Sequence, residues 1–366
     1  MNCIKSSFLA FGAVFLVTAQ AGEDRSQSNF EIVSLSNRAD LISGGDALLE
    51  VRVPKTVPLH QVRLLLNGGD VTAMFRTDAT GLVMRGVLTG LVQGQNDFIA
   101  HSNGRGRPRA SLTITNHPIG GPVLLGSQTQ PWVCATPTPA IDPATGALSN
   151  ASGLSTLAVD AQCNIATEYK LFYRTTATPC SSALPDPSPP AVPPANACFK
   201  PYTVGTTPPD LAMTTTTALL TVPYIVRVER GTINRGIYDI AVLFDPTRAT
   251  PWTALTPQPQ WNGKVVYTFG ASTGQPRLQF RSEQNWADDA ALSRGFMVAD
   301  NSLTDSLFNS NRVLNAETLM MMKEHIVDTY GEIKYTLGNG CSGGSIQQNT
   351  AASIFPGLLD GIQPSC

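Results

Sequence analysis

The feature that most constrains the fold is a glycine-rich turn between a predicted strand and a predicted helix, Gly340-Cys341-Ser342-Gly343-Gly344. Residues 333–337 form the predicted strand and residues 343–355 the helix. The turn matches G-x-S-x-G, the nucleophile elbow, in which a serine sits on strained backbone and neighbouring chains pass too close for a β-carbon. The pattern predicts that Ser342 projects from the top of a sheet, with the backbone N–H of Gly343 facing a developing oxyanion.

A second glycine-rich loop follows another predicted strand. Residues 264–269 are a short apolar run that ends in Gly270-Ala271-Ser272-Thr273-Gly274. In folds that carry a nucleophile elbow, the loop after the third strand supplies the other N–H of the oxyanion hole. Gly270 or Ala271 is therefore the predicted second donor, alongside Gly343.

The elbow motif has three alternative interpretations. Gly338, Gly340 and Gly343 also match G-x-G-x-x-G, the dinucleotide-binding fingerprint. That fingerprint normally opens a domain, and Asp360 is poorly placed to be its ribose-binding acid. In the second alternative Cys341 is the nucleophile, although it lies one residue from the centre of the elbow. The third is a glycine-rich turn without chemistry.

Strands and helices alternate around both loops. An alternation of this kind predicts a parallel sheet with crossover helices, opened here by a hairpin. The predicted strands cover residues 224–230, 236–244, 264–269, 296–299, 333–337 and 358–362, and the predicted helices cover 288–294, 316–330 and 343–355.

The chain ahead of this region divides into two parts. Apolar residues alternate with polar ones in residues 22–117, as at Leu49, Val51 and Val53, and turn signals recur between such runs, which predicts an antiparallel β-sandwich of immunoglobulin-like type. Residues 118–222 are predicted to be a loop-rich Pro/Thr insertion, because residues 185–194 contain six prolines and proline suits neither helices nor central strands.

Residues 1–21 have the layout of a secretory signal peptide: a short polar start with Lys5, a core of about ten apolar and small residues, and a small-x-small site ending at Ala21. No later stretch is apolar enough to span a membrane. The formal net charge of -2 argues against a protein built to bind nucleic acid. We therefore expect a secreted protein, extracellular or periplasmic, with no membrane span after cleavage.

Six cysteines remain after cleavage, and in an exported protein an even number favours disulfides. Cys180 and Cys198 flank the proline-rich stretch and are expected to close it as a loop. Cys134 and Cys163 would then pair by elimination, although spacing alone does not fix the connectivity. No cysteine pair has zinc-site spacing and the four histidines are scattered, so no metal site is expected.

A cysteine directly before the elbow serine resembles secreted tannases and feruloyl esterases of the α/β-hydrolase superfamily. That resemblance implies a disulfide between Cys341 and a cysteine beside the catalytic histidine. The chain also resembles a family of secreted bacterial proteins of unassigned activity, roughly twice as long, with a β-sandwich ahead of a hydrolase-like domain. The stretches that carry this similarity are 116–119, 131–134 and 229–234.

The triad order of that superfamily is Ser, then Asp or Glu, then His. No histidine follows Ser342, and Asp360 comes too soon after the elbow to be the usual acid. His325 precedes the elbow on a helix and is expected at the surface, and the other histidines belong to the sandwich or its exit: His60, His101 and His117. We therefore expect residues 223–366 to be the incomplete amino-terminal part of an α/β-hydrolase domain.

The function expected from these features is a secreted serine carboxylic ester hydrolase. Ser342 would form an acyl-enzyme with a small-molecule or oligomeric ester, without a cofactor, and this chain alone would be inactive for lack of the triad acid and histidine. The alternative is a secreted or cell-surface binding protein with a degenerate hydrolase domain.

Overall fold

A computed structural model describes residues 28–103, 107–135, 158–182, 196–282 and 284–366. The predicted signal peptide with its cleavage site at Ala21, and the proline-rich stretch 185–194, lie outside these ranges. Helices in the described ranges are all too short or too polar to cross a membrane.

The first unit is a two-sheet sandwich. Its sheets have the strand orders β1-β3-β7-β6 and β2-β9-β8-β4-β5. One apolar core joins them, with Leu49 and Leu88 from one sheet and Leu64, Phe98 and Ile114 from the other. Most neighbours are antiparallel, as predicted, but β2 pairs with β9 in parallel. The strands are β1 Glu31–Ser34, β2 Ile42–Ser43, β3 Asp46–Arg52, β4 Val62–Leu66, β5 Gly69–Asp70, β6 Arg76–Thr77, β7 Val83–Thr89, β8 Gly94–Ser102 and β9 Arg109–His117.

The second unit is built on an eight-stranded sheet of order β11-β10-β14-β15-β17-β16-β18-β19. The four strands β17, β16, β18 and β19 are parallel, and the rest of the sheet is antiparallel. The strands are β10 Glu168–Arg174, β11 Phe199–Pro201, β14 Ile225–Ile233, β15 Gly236–Leu243, β16 Lys264–Phe269, β17 Met297–Asn301, β18 Tyr335–Cys341 and β19 Gly361–Ser365, and a separate hairpin holds β12 Met213–Thr215 and β13 Thr221–Pro223.

Three α-helices are present in the described residues: α1 Asp289–Leu292, α2 Arg312–Tyr330 and α3 Gly343–Ile354. The long helix α2 begins four residues before its predicted start, because the Asn311 side chain accepts hydrogen bonds from the N–H groups of Val313 and Leu314 and caps it. It ends at Gly331, whose φ of 115° suits glycine. The described part of the chain is thus mainly β, with helices grouped around the parallel strands.

Several predicted elements differ in the structure, and the strand predicted at 333–337 runs from Tyr335 to Cys341. The predicted helix over 288–294 has only four residues. The strand predicted at 358–362 starts at Gly361. Residues 118–222 are not only loops, because β10 and β11 extend the large sheet, and Glu168 in β10 pairs with Arg230 in β14.

Three disulfides join cysteines of the described ranges. Two of them, Cys180–Cys198 and Cys134–Cys163, join the pairs expected from the sequence. In the third, Cys341 is bonded to Cys366 and not to the cysteine beside a catalytic histidine that the resemblance implied. This bond ties the strand that carries the elbow to the end of its neighbour β19.

Candidate active site

Ser342 lies at the junction of β18 and α3, with φ 53° and ψ -116°. A positive φ is strained for any residue other than glycine, and strain of this kind is typical of a nucleophile elbow. The Ser342 N–H donates to the carbonyl of Ser365 at 2.9 Å, which holds the turn against β19. The residue is exposed, and its hydroxyl forms no hydrogen bond with any other described residue.

The glycines around Ser342 are required by close packing. A β-carbon on Gly340 would lie 2.8 Å from the carbonyl oxygen of Phe269, and one on Gly344 would overlap the same oxygen. A β-carbon on Gly343 would overlap the carbonyl oxygen of Ser272 and lie 2.7 Å from the Ser306 side chain. The start of α3 is therefore pressed against the carboxyl end of β16, as the sequence argument required.

The second glycine-rich loop lies beside the elbow. Strands β16 and β18 are parallel neighbours, with Phe269 paired to Gly340, so their carboxyl ends meet at one edge of the sheet. Neither Gly343 nor Ala271 donates its backbone N–H to another group in the part of the chain that the structure describes. Two unpaired amides thus lie next to Ser342, in the two loops where the motif calls for oxyanion donors.

Sequence reasoning missed a third loop, which follows β17. The carbonyl oxygen of Gly270 accepts the N–H of Ser306 at 3.1 Å, and the N–H of Gly274 donates to the Ser306 carbonyl at 2.8 Å. The buried Asp305 carboxylate lies where a Gly270 β-carbon would be, and it accepts the N–H of Leu307 at 3.0 Å. The loop after β17 therefore fixes the position of Gly270, and no local motif marks it.

His325 is half-buried, with 25% of its side chain exposed, and its ring is engaged in a contact that the sequence did not predict. Its ring lies between α2 and β14, where Nε2 contacts Glu229 Oε1 at 2.6 Å. Glu229 is buried and also accepts hydrogen bonds from the hydroxyls of Tyr238, at 2.6 Å, and Tyr330. Burial of Glu229 opposes its ionisation, but the charge and hydrogen bond of His325 and the two hydroxyls outweigh it and lower the pKa to about 2. His325 is thus engaged with Glu229 and not with Ser342.

Asp360 is also remote from Ser342. Its Oδ2 accepts the N–H of Thr336 at 2.7 Å, near the amino end of β18. Ser342 follows the carboxyl end of the same strand, roughly 20 Å away at the rise of a β-strand. For the same reason Asp360 cannot bind a ribose at the carboxyl edge, as the dinucleotide interpretation required. Cys341, the alternative nucleophile, is in a disulfide and has no free thiol in this structure.

The remaining histidines lie in the sandwich, as expected: His60 near β4, His101 in β8 and His117 in β9. No group of three His, Cys, Asp or Glu side chains is placed to hold a metal ion within the described ranges. The site thus consists of an exposed serine on strained backbone and two unpaired amides, and the described residues bring no histidine to the serine.

Comparison with known proteins identifies a family. Residues 32–366 match the family described as "Tannase-like family of unknown function (DUF6351)". A search of curated proteins gave no match.

Among solved structures, the chain is similar to oligopeptidase B from Leishmania major, at 11% identity and TM-score 0.24, covering 92% of this chain and 48% of that one. The chain is also similar to Porphyromonas gingivalis dipeptidyl peptidase 4, at 12% identity and TM-score 0.25, covering 92% of this chain and 62% of that one. The chain spans less than two thirds of either protein, and TM-scores this low do not establish a shared fold.

Proposed function

This chain belongs to the tannase-like family DUF6351, and from that membership we propose that it is part of a secreted serine esterase that hydrolyses carboxylic esters through Ser342. The single observation that carries the proposal is the strained, exposed Ser342, with φ 53°, between a parallel strand and the helix α3. Backbone strain persists only where the surrounding structure holds it in place, and such residues cluster at active sites. Here three glycines allow the close approach of β16 and of the loops beside it.

We assign the large sheet to the α/β-hydrolase fold and the first unit to an immunoglobulin-like sandwich. Support for the first assignment is the strand–elbow–helix sequence on β18, with the oxyanion loop delivered by the adjacent parallel strand β16. Support for the second is the two-sheet core of Leu49, Leu64, Phe98 and Ile114. The proposed domains are 1–21 signal peptide, 22–117 sandwich, 118–222 insertion and 223–366 hydrolase domain.

In the proposed mechanism the Ser342 hydroxyl attacks the ester carbonyl while a base takes its proton. The oxygen of the tetrahedral intermediate accepts the N–H groups of Gly343 and of Ala271 or Gly270. Collapse of the intermediate releases the alcohol, which receives the proton, and leaves an acyl-Ser342 ester. Water then attacks that ester with the same base and oxyanion donors, which releases the acid and restores the serine.

The base and its orienting acid are not supplied by His325 or Asp360, because one is bound to Glu229 and the other lies at the opposite end of β18. We propose that they belong to polypeptide beyond these 366 residues, and that this chain alone is inactive toward esters. A serine hydroxyl without a base is a poor nucleophile. The three disulfides support the proposed extracellular or periplasmic location.

The test compares hydrolysis of a phenolic ester by this chain and by a polypeptide that continues it with the carboxyl-terminal half of a relative. We expect no turnover above background for the first and measurable turnover for the second. In the longer polypeptide Ser342→Ala should abolish turnover, while Ser353→Ala should retain it, because Ser353 is exposed near the far end of α3 and bonds only to the Thr350 carbonyl. Turnover that survives Ser342→Ala would refute the assignment.

A second candidate is a binding protein whose hydrolase domain has lost catalysis. The observation that favours it is the engagement of His325 with Glu229, which leaves Ser342 without a base among the described residues. A longer polypeptide that shows no turnover with any ester, and binds substrate analogues equally well with Ser342→Ala, would support this candidate.

A further inference from the structure

Helix α2 connects the large sheet to the sandwich, and two of its carboxylates are buried in the contact. Glu324 is 2% exposed and Asp328 is 8% exposed. They are four residues apart, which places them one turn apart on the same helix face. Neither forms an ion pair with a cation anywhere in the described ranges. Burying an unpaired carboxylate is unfavourable unless it is hydrogen-bonded or neutral.

Glu324 binds the second strand of the sandwich. Its Oε1 accepts the backbone N–H of Ser43 at 2.5 Å and lies 3.2 Å from the Ser43 hydroxyl. Its Oε2 accepts a hydrogen bond from Nδ2 of Asn37 at 3.2 Å. A single side chain on α2 thus holds both β2 and the turn that precedes it.

Asp328 binds the third strand in the same way. Its Oδ1 accepts the N–H of Leu48 at 2.7 Å and the hydroxyl of Ser36. The Leu48 side chain packs with Val327 and Ala254 in an apolar cluster that spans the two units. The hydrogen bonds and the apolar contact therefore form one continuous interface.

No cation in the described ranges forms an ion pair with Glu324 or Asp328, although the nearby charge of His325 partly offsets the rise that burial causes in the pKa of Asp328. On the sandwich side Asp46 is a third acid, and Arg85 is paired with Glu50 and with Glu332. On α2 and β14, His325 is paired with Glu229, and Lys323 donates to the carbonyl of Leu358. The other charged or titratable side chains near the contact are Arg38, Asp40, His117, Arg227, Lys334 and Asp360.

We propose that Glu324 and Asp328 form a proton-operated latch: both are neutral when the sandwich is docked on α2, and their ionisation as the pH rises releases β2 and β3 from the helix. Neutral carboxyls keep the two backbone hydrogen bonds and avoid burying two like charges one turn apart. Helix α2 also contacts α3, where Asn315 donates to the Gln347 carbonyl at 3.1 Å, so the latch is linked to the helix that directly follows Ser342.

The raised pKa values of these two carboxyls support a latch that is closed at low pH and opens as the pH rises. Burial raises the pKa of Glu324 to about 8, with a further contribution from Asp328, and burial with nearby Asp46 raises the pKa of Asp328 to about 7. Ordinary carboxyl pKa values near 4 apply once the latch opens. The docked state therefore binds more protons, and its stability falls as the pH rises from about 4 to about 8.

Hydrogen exchange of the Ser43 and Leu48 amides tests the proposal, because these two N–H groups donate to the latch. Their protection factors, corrected for intrinsic exchange, should fall at least about tenfold between pH 5.5 and 8.5, since one pKa unit corresponds to a factor of ten. The Phe98 amide in the sandwich core should change less than twofold. In the double variant Glu324→Gln/Asp328→Asn the pH-dependent fall in these protection factors should disappear. The control variant Glu332→Gln removes only an exposed ion pair of the interface and should keep the fall.

Protection factors at Ser43 and Leu48 that stay constant in the natural protein between pH 5.5 and 8.5 would overturn the proposal. An equal loss of protection at the Phe98 amide would also overturn it, because the whole sandwich would then be unfolding. Should the double variant fail to fold, Glu324→Gln alone is expected to reduce the fall at Ser43 more than at Leu48.

Discussion

The elbow geometry is tested most sharply by Gly344→Ala, because two effects of opposite sign compete there. Gly344 is the second residue of α3, and replacing glycine by alanine in a helix usually stabilises by about 1 kcal/mol. In this structure, however, the new β-carbon would overlap the Phe269 carbonyl oxygen and lie 3.0 Å from its carbon and 3.1 Å from the Gly270 oxygen. All three atoms belong to backbone, so no side chain can move away.

Overpacking of this kind costs about 1–3 kcal/mol, and a rigid backbone neighbour favours the upper end. After the gain in helix propensity, we expect a net destabilisation of about 1–2 kcal/mol, which is roughly 2–8 °C in the midpoint of thermal unfolding. Gly126→Ala is the control, because a β-carbon there meets nothing within 4 Å. An unchanged or raised midpoint for Gly344→Ala would refute the close approach of α3 to β16, and with it the elbow.

Ser342, Glu229 and the signal peptide each provide a further test. Ser342→Gly should raise the free energy of unfolding by about 1 kcal/mol in chemical denaturation, because relief of about 1–3 kcal/mol of backbone strain outweighs the entropic cost of glycine. A lower free energy of unfolding would show that Ser342 is not strained. Glu229→Gln should destabilise by about 3–5 kcal/mol at pH 7. Because the pKa of Glu229 is lowered to about 2, the difference should shrink as the pH falls from about 4.5 toward 2, and a constant difference would refute the ionised state. Intact-mass analysis of the exported protein should find Gly22 at the amino terminus, and retention of Met1 would refute signal cleavage.

The elbow could be predicted from the sequence because its cause is local. Gly340, Gly343 and Gly344 stand within five residues of one another, and all three are tightly packed against the end of β16 or the loops beside it, so the steric requirement appears as a motif. The hairpin of β14 and β15 was predicted for the same reason, since its two strands are joined by a two-residue turn. Where the determinant of structure is local, the sequence displays it.

Non-local pairing explains what the sequence did not predict. The pairing of β10 with β14 joins residues about sixty positions apart, such as Glu168 and Arg230, across a region rich in Pro and Thr. The contact of His325 with Glu229 also joins distant parts of the chain, because the two residues are 96 positions apart. Neither partner carries a local pattern that indicates the other, so a helical histidine was predicted to be exposed. The loop after β17 escaped notice because Asp305 acts through contact with Gly270 and not through a motif.

The central claim is that Ser342 is the nucleophile of an ester hydrolase. Its most direct measurement is peptide mapping by mass spectrometry after a fluorophosphonate reacts with the longer polypeptide that hydrolyses esters. We expect one phosphonyl adduct, on Ser342, and only trace labelling of the 366-residue chain under the same conditions. An adduct on another serine, such as Ser345 or Ser306, or equal labelling of a Ser342→Ala variant, would contradict it.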